Sequence, residues 1–319
     1  MTHAGNNFLK KNPCSPTTKS PDPRTSPPIH IPVLLDEAVQ LLAPVDGGIY
    51  VDGTLGLGGH TEKILQSCSP SGRVIGFEWD DNALKLAMKR LASFGQRFSA
   101  QHRSYSEMMD GLSEIGIQKV DGVLLDLGVS SLQFDNDTRG FSFQADGPLD
   151  MRMDRRQQLT AEEIINNSKK DDLADIFYYF GEERQARRIA AHIVEERGKE
   201  RITSTAQLAH IIAWAIPKKF HPRRIHVATK VFQALRIAVN KELDNLATIL
   251  DLITKILKPG GRVCIITFHS LEDRLVKWKF RDNPLLHVLT NKPVTPSDEE
   301  IKMNFRSRSA KLRAAYMKG

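Results

Sequence analysis

The chain has 319 residues, 40% hydrophobic and 26% charged, with a net charge of +7. That balance is globular rather than fibrous, the length admits one large domain or two smaller ones, and the positive excess hints at a polyanionic partner. Cys14, Cys68 and Cys264 form no C-x-x-C pair, which argues against a zinc knuckle or a disulfide framework, and no apolar run approaches the roughly 20 residues that span a bilayer.

Residues 1–28 hold six of the sixteen prolines among Ser, Thr, Asn and Lys. Such a stretch buries too little apolar surface to order itself, so residues 1–29 are expected to form a disordered tail. The polar start lacks an apolar signal core, which points to the cytoplasm. Order is expected from His30-Ile-Pro-Val-Leu, followed by Leu35, Ala38, Val39 and Leu42 at helical spacing and a stop at Pro44. Ile49-Tyr-Val51 then runs into Asp52-Gly-Thr-Leu-Gly-Leu-Gly-Gly-His60, and Thr61-Glu-Lys-Ile-Leu opens a helix. A strand, a glycine-rich turn and a helix begin a doubly wound nucleotide-binding sheet. The dinucleotide spacing fails, because Thr61 stands where a G-x-G-x-x-G frame needs a small residue. The loop is closer to the D-x-G-x-G-x-G of S-adenosylmethionine (AdoMet) enzymes, with a purely structural glycine turn as the alternative. The second strand, Arg73–Asp80, ends in acid. Glu78 lies 22 residues after Gly56, where a carboxylate accepts hydrogen bonds from both ribose hydroxyls. Leu84, Ala87, Met88 and Leu91 mark a helix, 98–105 a third strand, and Asp121–Gly128 an apolar fourth strand ending in Asp126. The alternation predicts a parallel sheet.

After the fourth strand the rhythm breaks. Residues 129–159 read as loop, and the capping boxes Thr160/Glu163 and Ser204/Gln207 open helices. Leu173, Ile176, Phe177 and Phe180 form one apolar stripe, and Ala186, Ile189, Ala190 and Ile193 another. These helices predict an inserted all-helical domain, 135–222, for substrate recognition, between two parts of the AdoMet-binding domain, 30–134 and 223–319. One long helix is expected from Ala228 to Leu257, stopped by Lys258-Pro-Gly-Gly, before a fifth strand at Arg262–Phe268. Runs at 287–293 and 309–317 are expected to pair antiparallel at the sheet edge. No His/Cys/Asp cluster has metal-ligand spacing, so no metal is expected. Lys218, Lys219, His221, Arg223, Arg224 and His226 form one basic cluster, and Arg306, Arg308, Lys311 and Arg313 another; both suit RNA phosphates. Phe141 and Phe143 suit either base stacking or core packing.

Taken together, the blocks His30-Ile-Pro-Val-Leu, Asp52–His60, Leu125-Asp-Leu-Gly-Val-Ser-Ser131, Arg139-Gly-Phe-Ser-Phe, Gly147–Asp154, Phe232–Asn240, Lys258-Pro-Gly-Gly-Arg and Thr267–Arg274 resemble the bacterial small-subunit ribosomal-RNA cytosine-N4-methyltransferases, the RsmH (MraW) family. The resemblance covers 30–319. It implies an α/β, Rossmann-like AdoMet-dependent methyltransferase acting on N4 of one cytidine of 16S rRNA near the decoding centre, with the small ribosomal subunit as partner. Carried over by position, cofactor contacts fall on Gly58, Gly59, His60, Glu78, Tyr105, Asp126 and Gln133. Glu78 stands where the family often has Asp, Leu132 where Pro is common, and Val227 replaces a Pro after His226. The oligomeric state stays open, a homodimer included.

An exocyclic cytosine amine is a poor nucleophile because its lone pair is delocalised into the ring. An acceptor near that N–H favours the pyramidal, reactive form, and Asp126 is the candidate catalytic residue, with cofactor binding as its rival role. Ser130 and Ser131 either hold the base or cap a turn. Methylation at C5 would need a cysteine nucleophile, and none of the three lies near the loop after the fourth strand. A non-catalytic AdoMet- or RNA-binding assembly factor and an NAD oxidoreductase are the readings from other classes.

Overall fold

The computed structural model describes Met1, residues 32–223 and residues 225–319; the expected tail with Cys14, His30 and Ile31, and Arg224 lie outside the described residues. From residue 32 onward the described residues form one compact unit. Its strands are β1 (Ile49–Asp52), β2 (Arg73–Phe77), β3 (Phe98–Gln101), β4 (Val120–Asp126), β5 (Leu257–Thr267), β6 (Leu286–Val288) and β7 (Lys311–Met317), in one sheet of order β3-β2-β1-β4-β5-β7-β6. The first five pair in parallel, and β7 runs antiparallel to both β5 and β6. The predicted edge pair is therefore present, although α13 (Asp298–Met303) lies in its connection rather than a tight turn. The strand order reverses between β1 and β4, and in open α/β sheets that switch point opens the ligand crevice at the carboxyl ends.

Alternation along the strands explains the layers. Tyr50, Val74, Leu124, Cys264 and Ile266 face one side, where they pack with α1 (Leu35–Leu42), α2 (Gly59–Ser67) and the Ala87 side of α3 (Asp81–Arg90). Val51, Ile75, Val123, Leu125, Val263 and Ile265 face the other, against α4 (Met108–Glu114), α11 (Glu242–Ile256) and α12 (Ser270–Asp282). After the one-turn helix α5 (Ser131–Phe134), the helices α6 (Ala161–Asn167), α7 (Lys170–Tyr179), α8 (Ala186–Arg197) and α9 (Thr205–Ala215) pack on a second apolar cluster, which includes Leu173, Phe177, Ile189, Ile193, Leu208 and Ile212 and also takes in Val231 and Phe232 from beyond residue 222. Both predicted stripes are in that cluster.

The long helix expected over 228–257 is two helices, α10 (Thr229–Asn240) and α11, because Lys241 turns left-handed at φ 50°, ψ 39°. A non-glycine residue there costs on the order of 1–2 kcal/mol. Burial explains the break: Val231, Phe232, Leu235 and Val239 join the helical cluster, whereas Leu246, Ile249, Leu250 and Ile253 join the sheet. Each half is amphipathic, so the spacing runs on across a corner. The Pro-Gly-Gly stretch lies within the span of β5 as an outward bulge: Val120 pairs Leu257 and Gly122 pairs Arg262.

Candidate active site

At the carboxyl end of β1 the chain turns through Gly56 and Gly58, both at positive φ (51° and 78°), and Gly58 precedes the first residue of α2. Thr61 explains why the dinucleotide spacing fails. It is fully buried, and its Oγ1 donates to Asp52 Oδ2 at 2.7 Å, while Thr54 N donates to Asp52 Oδ1 at 3.1 Å. Burial nevertheless pushes Asp52 up to about 6. Glu78, one residue past β2, is buried against the same turn: its Oε2 accepts from Gly56 N at 2.8 Å and its Oε1 from Asp80 N at 2.9 Å. Burial raises it to about 7, against the lowering by those two amides.

Asp126 ends β4. Its amide donates to Thr54 Oγ1 at 2.6 Å, which locks the ends of β1 and β4 together. Its Oδ2 lies 3.7 Å from His60 Nδ1, while Oδ1 is buried with no hydrogen-bond partner. Burial first, then the nearby Asp52 and Glu272, hold its carboxyl well above the ordinary range. His60 Nε2 donates to Val33 O at 3.0 Å, which assigns the ring proton to Nε2 in the neutral form. Gln133, on α5, is buried and donates to Asp80 Oδ2 at 2.9 Å. Tyr105 packs on Trp79, with ring centroids 6.1 Å apart, and its hydroxyl donates to Glu242 O at 3.4 Å. The structure thus joins Glu78 to the glycine turn, Asp126 to His60, and Gln133 to Glu78 through Asp80, with Tyr105 bordering the group through Trp79.

Several residues to which the sequence pattern assigns no role carry this arrangement, although Arg139, Arg236, His269 and Glu272 stand in the blocks quoted above. Asp80 caps α3 and takes Arg139 NH1 on Oδ2 at 2.6 Å, both side chains being 5% exposed. Burial pushes Asp80 up, but the Gln133 amide and the Arg139 guanidinium outweigh it and hold it below the usual range. Arg236 forks onto Glu242 with both bonds at 2.8 Å. His269 and Glu272, just past β5, form a reciprocal cap on α12. Side-chain atoms of Glu242, His269 and Glu272 lie within 4.8 Å of one another, a spacing that would suit a cation. Arg236 already neutralises Glu242, one of the two carboxylates. The available signal is position: Asp80 follows β2 and His269 follows β5 at the edge where ligands bind.

Other expectations resolve into packing. Phe141 is core, and Phe143 lies tilted on His226 and edge-on to Phe232, with ring centroids 4.7 and 4.8 Å away. Ser130 Oγ accepts from Gln133 N at 3.3 Å, the turn-capping alternative; the Ser131 side chain lies outside the described residues. In the second basic cluster Arg313 is buried on Asp273 at 2.6 Å and Lys311 joins the same carboxylate at 3.0 Å, so neither is free for phosphate. Lys218, Lys219, Arg223 and His226 are exposed. Cys68 and Cys264 are buried, the latter inside β5 with its thiol pushed up to about 12 by burial.

The pattern of the MraW methylase family matches residues 28–318. A protein named ribosomal RNA small subunit methyltransferase H, from Desulfotalea psychrophila, is 58% identical over 287 residues, covering 90% of this chain and 97% of that one. Its namesake from Cyanothece sp. is 50% identical over 287 residues, covering 90% and 94%. Among solved structures, a putative rRNA-methylase from Clostridium thermocellum is 12% identical with a TM-score of 0.44, covering 91% of this chain and all of that one.

Proposed function

The chain belongs to the MraW methylase family, and from that premise we propose that it methylates the exocyclic N4 of one cytidine of 16S ribosomal RNA, near the decoding centre. It is an AdoMet-dependent methyltransferase of small-subunit ribosomal RNA. The residues present fit the cofactor. Glu78 uses one lone pair of each oxygen on a backbone amide and keeps the others for ribose hydroxyls, and the positive-φ glycines leave the turn without Cβ atoms on that side. In this reading Gly58, Gly59, His60, Tyr105 and Gln133 complete the cofactor site.

AdoMet supplies a methyl already activated on its sulfonium, so the protein's work is to position and desolvate. The observation that carries the reading is Asp126 Oδ1, a buried acceptor without a partner at the carboxyl end of β4, beside the Glu78 turn. Ionised, it accepts the N4–H of a cytosine, favours the pyramidal amine, and takes the proton released when N4 gains its fourth bond. Its raised pKa suits a group that must receive a proton. No part of this scheme calls for a metal.

The helices of 135–222 follow β4 directly, so we assign them to recognition of the RNA, with Lys218, Lys219 and Arg223 gripping phosphates. Among the described residues no helix is long and apolar enough to cross a membrane, and work on ribosomal RNA in the cytoplasm is part of this proposal. The test supplies labelled AdoMet with small-subunit particles from cells lacking the enzyme and maps the product. N4-methylcytidine at a single position is expected; label on C5, or no transfer with AdoMet bound, overturns the reading.

A further inference from the structure

Among the described residues three buried side-chain polar atoms lack a hydrogen-bond partner: Asp126 Oδ1, Arg139 Nε and His269 Nε2. Arg139 is otherwise engaged, through NH1 on Asp80 and NH2 on the carbonyls of Arg152 and Met153. The other two belong to neighbouring strand ends. Asp126 pairs with Ile266 in the β4–β5 register, Leu127 N donates to Ile266 O at 2.9 Å, and His269 is three residues further along. The two exits stay in contact, since a Cβ on Gly128 would lie 3.3 Å from the Phe268 ring.

The ring of His269 has a defined orientation. Glu272 N donates to its Nδ1 at 3.4 Å in the cap of α12, so the Nδ1 lone pair faces the helix and the proton belongs on Nε2. The side chain is 9% exposed, and Nε2 lies 3.2 Å from Glu272 Oε1 without the alignment of a hydrogen bond. Glu272 meanwhile spends Oε2 on Phe268 N at 2.8 Å. A buried N–H whose nearest acceptor is out of line is incompletely satisfied, and a ligand that completes it is one explanation. Here a donor out of line with its nearest acceptor, Glu272 Oε1, and an acceptor without a donor occupy the ends of adjacent strands.

We propose that Asp126 Oδ1 and His269 Nε2 together read the amino edge of the target base, the carboxylate accepting from the exocyclic N–H and the imidazole donating to the adjacent ring nitrogen. This rests on the cytosine-N4 reading above and adds a specificity-determining residue to it. Cytosine presents N4–H beside the N3 acceptor; uracil presents O4 beside N3–H, the reverse order, and meets both protein groups with like partners. Adenine shares the amino and ring-nitrogen order, so the pair selects amino-bearing bases, and the size of the site must separate the two. The donor orients the ring and moves no proton.

The test uses the full chain with His269→Asn, which keeps an N-cap acceptor for α12 and withdraws the ring N–H. His269→Ser, another good N-cap, serves where the Asn variant is not folded. Calorimetry with AdoMet reports folding and the cofactor site, and its Kd is expected to stay within about twofold. kcat/KM on unmethylated small-subunit particles is expected to fall about 5- to 150-fold, as for a buried acceptor left unpaired. With S-adenosylhomocysteine bound to block turnover, wild type should bind particles carrying the target cytidine more tightly than particles carrying uridine there. That preference should shrink toward one in the variant. Unchanged kcat/KM and unchanged preference overturn the proposal, as does a parallel loss of AdoMet affinity, which would put His269 on the cofactor. A wild type that binds AdoMet yet methylates no particle overturns the proposed reaction itself. That outcome is distinct from a wild type and a variant that methylate equally.

Discussion

With Glu78 proposed to hold the ribose, cofactor binding becomes a proton-linked event. In the ligand-free protein burial raises Glu78 to about 7. Accepting two ribose hydroxyls besides the Gly56 and Asp80 amides requires both oxygens as acceptors, hence the ionised form. The ionised fraction is about 0.9 at pH 8 and about 0.1 at pH 6, so affinity for AdoMet should be about tenfold weaker at pH 6, with nearly one proton released per cofactor bound there. Glu78→Gln keeps one acceptor and loses the other. It should bind AdoMet about 30- to 1,000-fold more weakly, corresponding to about 2–4 kcal/mol, and show no such slope. Stability has the opposite sign to affinity. A carboxyl raised from 4.5 to about 7 by folding contributes stability that is complete below pH 4.5 and lost as pH rises through 7, about 3 kcal/mol in all. The ligand-free wild type should therefore lose stability across that window, and the Gln variant should lose less. Calorimetry in two buffers of different ionisation enthalpy measures the proton release, and urea melts from pH 4.5 to 8 measure the stability. Wild-type affinity that is flat from pH 6 to 8, or an equal slope in the Gln variant, refutes the assignment to Glu78.

Changing Lys218, Lys219 and Arg223 to Ala should leave AdoMet affinity near normal. It should flatten the salt dependence of particle binding by up to about 0.7–0.9 log units of slope for each phosphate no longer neutralised; unchanged slopes would make the patch a solvated face. A variant with all three cysteines changed to Ala or Ser should melt earlier yet keep methylating, since Cys68 and Cys264 are buried away from the β4 loop; loss of turnover in a folded variant that still binds AdoMet would revive a cysteine nucleophile. Arg139→Leu strands the buried Asp80 carboxylate and should cost about 3 kcal/mol in a denaturant melt, with weaker AdoMet binding because Asp80 also positions Glu78 and Gln133. A loss under 1 kcal/mol would mean that Asp80 is adequately held by Gln133 and the start of α3.

What the sequence makes legible follows its periodicities. The strand, glycine turn, Glu78 and the apolar β4 ending in Asp126 are local signals, and each appears where its pattern places it. The corner at Lys241 is hidden because heptad-like spacing records how often a side chain is buried, not against which layer. Arg236 and Glu242 meet only through that corner, so their ion pair has no sequence signature. Asp80 reads as part of an acidic strand end, because a single acid says nothing of an arginine 59 positions away. By spacing alone Thr61 is a defect in a dinucleotide motif. In the folded chain it is the hydroxyl that satisfies a buried Asp52, which a glycine could not do.

The corner at Lys241 also ties the helical layer to the reaction site. Asn240, the last residue of α10, accepts from Met153 N at 2.7 Å and donates to Met151 O at 2.8 Å, holding the loop that leads into the helical layer. Arg236, one turn earlier, grips Glu242 across the corner; burial pushes the neighbouring Glu272 carboxyl up, and His269 first, then Arg236, outweigh it and hold it below the usual range. The Glu242 carbonyl takes the Tyr105 hydroxyl. An uninterrupted helix would carry Glu242 onward along the axis and out of reach of both partners. The left-handed residue thus places one buried carboxylate where the helices proposed to grip RNA, the Tyr105 wall and the His269 pair converge. A shift of α10 would act on the Arg236–Glu242 pair, which links this corner to the strand ends that carry Asp126 and His269.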